Sequence, residues 1–362
     1  MRRLRVTCPA ARTALIVGWV SVVGVGCTQT GDDSVDLGDP VQPLVLPDTT
    51  GFDFVAATKD AVQLTKTVHA GRAWDAHAAA LARASAGCPD YYVGAPDDPA
   101  VEVGDGEGGA SWFDHCTTSG DIAFDGYQYW EGEVIVDGDP TSDVGATINA
   151  TRSLTGNGVI GAVDGVHYEL DGEATDALNA VTAKGYAHWT WSSTMAATLT
   201  GADVFGADAL APGGWRTDLA LYATGGDASA YEARGNVYLF DERLQDHFDS
   251  VEVDVAFLGP GAAGPDDCAL EPRGWVGLRD ENAYWYDLVF LPRYDQDPTD
   301  TGSADTYGTC DGCGTLYVRG VEATELGQVC VDFSFLWSDT PLVPPDVSDY
   351  ILSLHVLESE AP

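Results

Sequence analysis

Val251, Val253, Val255 and Phe257 alternate with Glu252 and Asp254. A period of two puts one side of an extended strand in a core and the other in water. The pattern recurs from about residue 119 onward, through "DIAFDGYQYWEGEVIVDG", "VGATINATRSL", "GVHYELDG", "GYAHWTWSS", "DLALYATGG", "GNVYLFDE", "GWVGLRD", "AYWYDLVFL" and "TLYVRG". The connections carry Gly, Asp and Asn, as hairpin turns do, and Asp280-Glu281-Asn282 is one of them. Strand after strand with short links and no intervening helical period predicts a mainly β chain built as a large antiparallel meander of roughly nine to eleven strands. A sheet of that size curls, or closes toward a half-barrel or barrel.

Before the strands lies a different texture. From Asp53, "DFVAATKDAVQLTKTVHAGRAWDAHAAALARASAG" is Ala-rich, lacks Pro, and places Val55, Val62, Val68, Trp74, Ala78 and Leu81 at helical steps. The segment reads as an N-terminal helical element packed on the sheet, broken near Gly71 and ended by Gly87. His69 and His77 are eight apart, not the four that stack two ligands on one helix face. The expected organisation is a leader over 1–26, an acidic tether over 27–51, a helical segment with a disulfide loop over 52–118, and the β domain over 119–362.

The leader reading rests on Arg2, Arg3, Arg5 and Arg12, followed by an uncharged run over 13–26 and then Gly26-Cys27. That is the layout of a secretory signal peptide, and the run is shorter than the about 20 residues of a spanning helix. The small residue before Cys27 resembles the lipobox of bacterial lipoproteins, although the position three before the cysteine, usually leucine, is Gly24. The resemblance implies that Cys27 is acylated and begins the mature chain. With Thr28 rather than Asp after it, it implies an outer-membrane lipoprotein; a secreted or periplasmic protein is the alternative.

Export decides what the other cysteines do. In an oxidising compartment Cys88, Cys116, Cys268, Cys310, Cys313 and Cys330 form an even set suited to disulfides. Cys88 and Cys116 are the local pair. Cys268 then bonds one of Cys310 and Cys313, and Cys330 takes the other. "CDGCG" precedes a strand, not the helix of a thioredoxin-like site. Zinc would need Cys268, Cys310, Cys313 and Cys330 together, with only one CxxC knuckle among them. The stretches "GCPDYY", "HCTTSG", "FDGY" and "CDGCG…GQVCVDF" resemble uncharacterised acidic, cysteine-containing bacterial lipoproteins, a likeness that implies no activity. The element order is also similar to the half-barrel lipoprotein carriers that cradle acyl chains.

Charge excludes some partners. The chain has 57 Asp plus Glu against 17 Lys plus Arg, a formal net charge of −40. Such a surface repels nucleic acid and anionic headgroups, so the membrane contact expected is the lipid anchor alone. With 45% hydrophobic residues the chain is far from a disordered acidic composition. No GxSxG, HExxH or P-loop is present, and no catalytic residue or cofactor is assigned. Asp295, Asp297 and Asp300 resemble part of a calcium loop that lacks its glycine and its closing glutamate; a solvated acidic loop is the plainer reading. Trp189 and Trp191 share one strand face, with His188 opposite, and serve either to stack on sugars or to fill the core. The expectation is an exported, lipid-anchored envelope protein with a binding or structural role. The alternatives are a lipid carrier with a half-barrel cavity and a glycan-directed enzyme or binding protein.

Overall fold

The computed structural model describes residues 46–81, 88–93, 105–112, 116–117, 123–139, 143, 145–163, 166–183, 186–200, 214–225, 229–240, 242–259, 272–290, 311–320 and 323–338. Two helices come first, α1 (Phe54–Thr67) and α2 (Ala70–Leu81). The strands follow: β1 (Asp90–Val93), β2 (Asp105–Ser111), β3 (Cys116–Thr117), β4 (Ala123–Asp139), β5 (Gly145–Val163), β6 (Val166–Ala183) and β7 (Tyr186–Thr200). The meander continues with β8 (Trp215–Gly225), β9 (Ala230–Leu239), β10 (Phe248–Leu258), β11 (Arg273–Asp280), β12 (Trp285–Val289), β13 (Cys313–Val318) and β14 (Thr324–Cys330). A short helical turn, α3 (Phe335–Ser338), closes the series.

All fourteen strands belong to one antiparallel sheet whose spatial order follows the sequence, with β3 set aside on β4. β1 and β14 are its two ends, so the sheet is open rather than a closed barrel. The expected nine to eleven strands become fourteen because β1, β2 and β3 lie in the segment read as a disulfide loop. β2 is "DGEGGAS", a run poor in strand formers. It nonetheless pairs with β4 along its whole length, from Asp105↔Glu133 to Ser111↔Tyr127.

The sheet has one buried face. β8 alternates buried and exposed positions almost without exception, and Leu219, Leu221 and Ala223 point to the same side as Val251, Val253 and Val255 of β10. Glycines at inward positions bend the strands. Gly235 has φ +135°, and a Cβ there would collide with the carbonyl oxygen of Asp218. Gly274 has φ +103°, and a Cβ there would strike that of Asp254. Glycine kinks of this kind give a large sheet its curvature.

The helices lie across the strands on the buried face. Phe54 packs on Phe248 of β10 and Tyr286 of β12, with ring centroids 5.9 and 5.3 Å away. Near the other end of α1, Thr65 Oγ1 lies 2.6 Å from the hydroxyl of Tyr231 on β9. The chain then reaches Ser193 of β7 through Ala70, and Gln128 of β4 through His77. From β12 to β4 is eight strand intervals, about 38 Å. Laid end to end, α1 and α2 rise about 35 Å from Phe54 to His77, close to the width of those intervals.

The helix break comes earlier than Gly71. Val68 ends α1 with its N–H bonded to the carbonyl of Leu64, and Gly71 lies inside the first turn of α2. Asp53 caps α1 by accepting from the Ala56 N–H at 2.9 Å.

Candidate functional site

The buried polar groups gather where α2 crosses β7 to β4. His69 caps α2: its Nδ1 accepts from the Gly71 N–H at 3.1 Å. Gly71 is required beneath it, because a Cβ there would lie 2.6 Å from the imidazole Cε1. The ring stands edge-on to Trp191 at 5.1 Å. The next N–H, of Ala70, donates to Ser193 Oγ at 2.9 Å. Ser193, Asp176 and Arg152 face one another directly on β7, β6 and β5. Arg152 grips Asp176 with Nε 3.1 Å from Oδ1 and Nη2 3.1 Å from Oδ2, the bidentate fork that suits a buried pair. The ring of Trp74 covers that guanidinium at 4.8 Å. At the far end His77 Nδ1–H donates to Gln128 Oε1 at 2.6 Å.

Burial sets the protonation of both histidines. His69 is pulled down to about 3, by burial first and then by the charges of Arg72 and Arg152. His77 is pulled down to about 4 by burial, against the bond to Gln128, with Arg152 adding to the fall. A neutral His69 is what the cap requires, since a protonated Nδ1 has no lone pair to offer Gly71. Asp176 and His77 are at most 1% exposed. The Asp176 carboxylate is held by Arg152, whose guanidinium lies under Trp74 of α2. The arrangement suits a polar seam that registers helix on sheet, not proton transfer to a substrate.

The opposite face is open. Four successive cross-strand rows run over β6, β7, β8 and β9: Ala177–Ser192–Tyr222–Glu232, Thr175–Thr194–Ala220–Arg234, Glu173–Ala196–Asp218–Asn236 and Asp171–Thr198–Arg216–Tyr238. The two middle rows line a groove of about 340 Å³. Ala196, Ala220 and Gly235 leave its floor low, while Glu173, Asp218, Arg234 and Asn236 form its sides. Arg234 leans toward Asp254 of β10, Nη2 to Oδ2 3.5 Å.

Farther along the same face, Arg319 fastens the last strands together. It donates to Glu252 of β10 at 2.7 Å and, through Nε and Nη2, to Asp287 of β12 at 2.9 and 2.7 Å. Its guanidinium lies over the rings of Trp285 and Trp275, 4.7 and 5.2 Å from their centroids. Gly277 makes the room: a Cβ there would lie 3.0 Å from Asp287 Oδ1 and 3.2 Å from Arg319 Nη2.

The residues singled out in the sequence fall as follows. Trp191 is 1% exposed and Trp189 is packed against the core above Gly225, so both face inward, with His188 on the other side. Cys313 and Cys330 are directly opposite on β13 and β14 and form a disulfide. That bond removes two of the four thiolates a zinc site would need, and no metal-ligating group of three or more is found among the described residues. Cys88 is also disulfide-bonded. Cys27, Cys268, Cys310, Asp295, Asp297 and Asp300 lie outside the described residues, as does the side chain of Cys116.

Sequence reasoning missed the outer groove. Glu173 and Asp218 are separated by 45 positions, and only the register of β7 between them brings them to one row. The signal available was the polar half of each alternation, which shows a wet face without showing which residues meet. No family model, curated protein or solved structure matches the chain.

Proposed function

We propose that this chain is an exported envelope protein, held at the outer membrane through an acylated Cys27, that acts as a rigid binding or structural element. It belongs in this reading with the acidic bacterial lipoproteins it resembles in sequence. The observation that carries the proposal is the division of the sheet: the inner face is filled, and the outer face carries a polar groove.

The filled face weighs against the lipid-carrier alternative. Trp130, Trp191, Phe248 and Tyr286 are at most 1% exposed there, against His77, His69 and Phe54 of the helical segment. The buried seam weighs against an enzyme, because its titratable groups are committed to holding α2. The outer face, built on strands paired on both sides, offers side chains in fixed rows to an external partner.

The test is affinity capture of the full-length, detergent-extracted protein, with mass spectrometry of bound lipids and proteins. Wild type is compared with Asp218→Lys, which reverses one charge of the groove. The expected result is a bound set that changes with the substitution and contains no equimolar acyl lipid. An equimolar lipid retained by both forms would establish the carrier instead. Cys27→Ser is expected to leave the membrane fraction; an unmodified Cys27 in a soluble wild-type protein would sink the anchor.

A further inference from the structure

Exposed aromatic rings lie one row beyond each end of the outer groove. Tyr222 lies one row beyond Ala220 on β8, and Tyr238 one row beyond Asn236 on β9. They are 42% and 39% exposed, among the more exposed large hydrophobic side chains described. Three row steps separate them, about 20 Å along the strands. Between the rings stand two carboxylates, an amide, a guanidinium and the hydroxyls of Thr175 and Thr194, over a floor of alanine and glycine.

Resting on the outer-face reading above, we propose that the groove binds a neutral oligosaccharide, its rings stacked on Tyr222 and Tyr238 and its hydroxyls bonded to Glu173, Asp218 and Asn236. Each feature answers a need of that ligand. Planar carboxylates and amides accept from, or donate to, adjacent hydroxyls, and charged acceptors make the stronger bonds. Tyrosine offers an apolar face to the C–H side of a sugar ring while its hydroxyl stays wet.

Other ligands fit less well. An acyl chain would desolvate the carboxylates without pairing them. An anion meets Glu173 and Asp218 in a chain of net charge −40. An extended peptide cannot add as a strand, since β7 and β9 already pair both sides of β8.

The test uses the full-length, detergent-extracted protein and isothermal titration with neutral tetrasaccharides: β-1,4-linked glucose, α-1,4-linked glucose and β-1,4-linked N-acetylglucosamine. Oligolysine is the cationic comparison. At least one sugar is expected to bind, with little change between about 50 and about 500 mM salt, where screening removes exposed charge attraction. Tyr222→Ala and Tyr238→Ala should each weaken binding about five- to tenfold, the range of an aromatic contact. Tyr127→Ala, an exposed tyrosine of β4, should not change it. Thermal melts confirm that each variant folds. The proposal is overturned if no sugar binds, if binding ignores Tyr222 and Tyr238, or if only oligolysine binds and salt abolishes it. Loss of a captured protein partner in Asp218→Lys, with no sugar bound by wild type, overturns the glycan but leaves the outer-face reading standing.

Discussion

The indole of Trp74 lies 4.8 Å above the guanidinium of Arg152, so α2 places an aromatic lid on an ion pair that belongs to β5 and β6. Helix and sheet are thereby tied by a charge that neither could bury alone.

Asp176→Ala should accordingly be among the most damaging substitutions. It leaves the Arg152 charge under Trp74 without its carboxylate, a loss of about 3–5 kcal/mol for a broken buried pair. Replacing both, as Arg152→Met with Asp176→Leu, should cost less than the single change. Urea unfolding of the two variants beside wild type decides it; a double variant weaker than Asp176→Ala would contradict the argument.

The histidines make a pH prediction. Both are held neutral in the fold, at about 3 for His69 and about 4 for His77, against 6.5 for the ordinary group. Between those values and 6.5 the unfolded chain binds more protons than the folded one, so stability rises with pH through that window. It is fully present above about 6.5 and falls on acidification by up to about 1.4 kcal/mol per pH unit for each histidine. His77→Gln, which cannot titrate, should flatten part of the slope in melts taken from pH 4 to 7. An unchanged slope would remove His77 from the account.

Cys313 and Cys330 join the last two strands across 17 residues. Closing a loop of that length is worth about 3 kcal/mol in the chain-entropy description. Reduction should lower the melting temperature, and hydrogen exchange should speed first in β13 and β14. Alkylation of the denatured, unreduced protein should leave both residues unlabelled; labelling of either would mean that the bridge is absent.

Two glycines separate crowding from backbone strain. Gly235 and Gly327 have similar positive φ, +135° and +125°, but an added Cβ meets the Asp218 carbonyl at the first and nothing within 4 Å at the second. Gly327→Ala should cost the conformational strain alone, about 1–3 kcal/mol. Gly235→Ala should cost distinctly more, because β8 must also move. Equal melting temperatures for the two variants would show that curvature at Gly235 is not a constraint.

The period-two alternation of residues such as Val251 to Phe257 carries its own meaning, because side chains of any extended strand point alternately to two sides. One wet face, one dry face and an antiparallel meander were legible on that basis, as was the existence of the helical segment. The helix break was legible only approximately: Gly71 stood out as a breaker, whereas its place is under the His69 ring, a packing role with no local signature. Glu173 to Ala183, "EATDALNAVTA", is made largely of good helix formers and is nonetheless the body of β6. β5 and β7 offer hydrogen bonds on both of its sides, and that ladder outweighs small per-residue preferences. The same long-range pairing set Asp176 opposite Arg152, and Glu173 in line with Asp218. Which residues share a row depends on the register of whole strands against one another, where a slip of one position exchanges the two faces. That is a property of the assembled sheet, and no single stretch of the chain contains it.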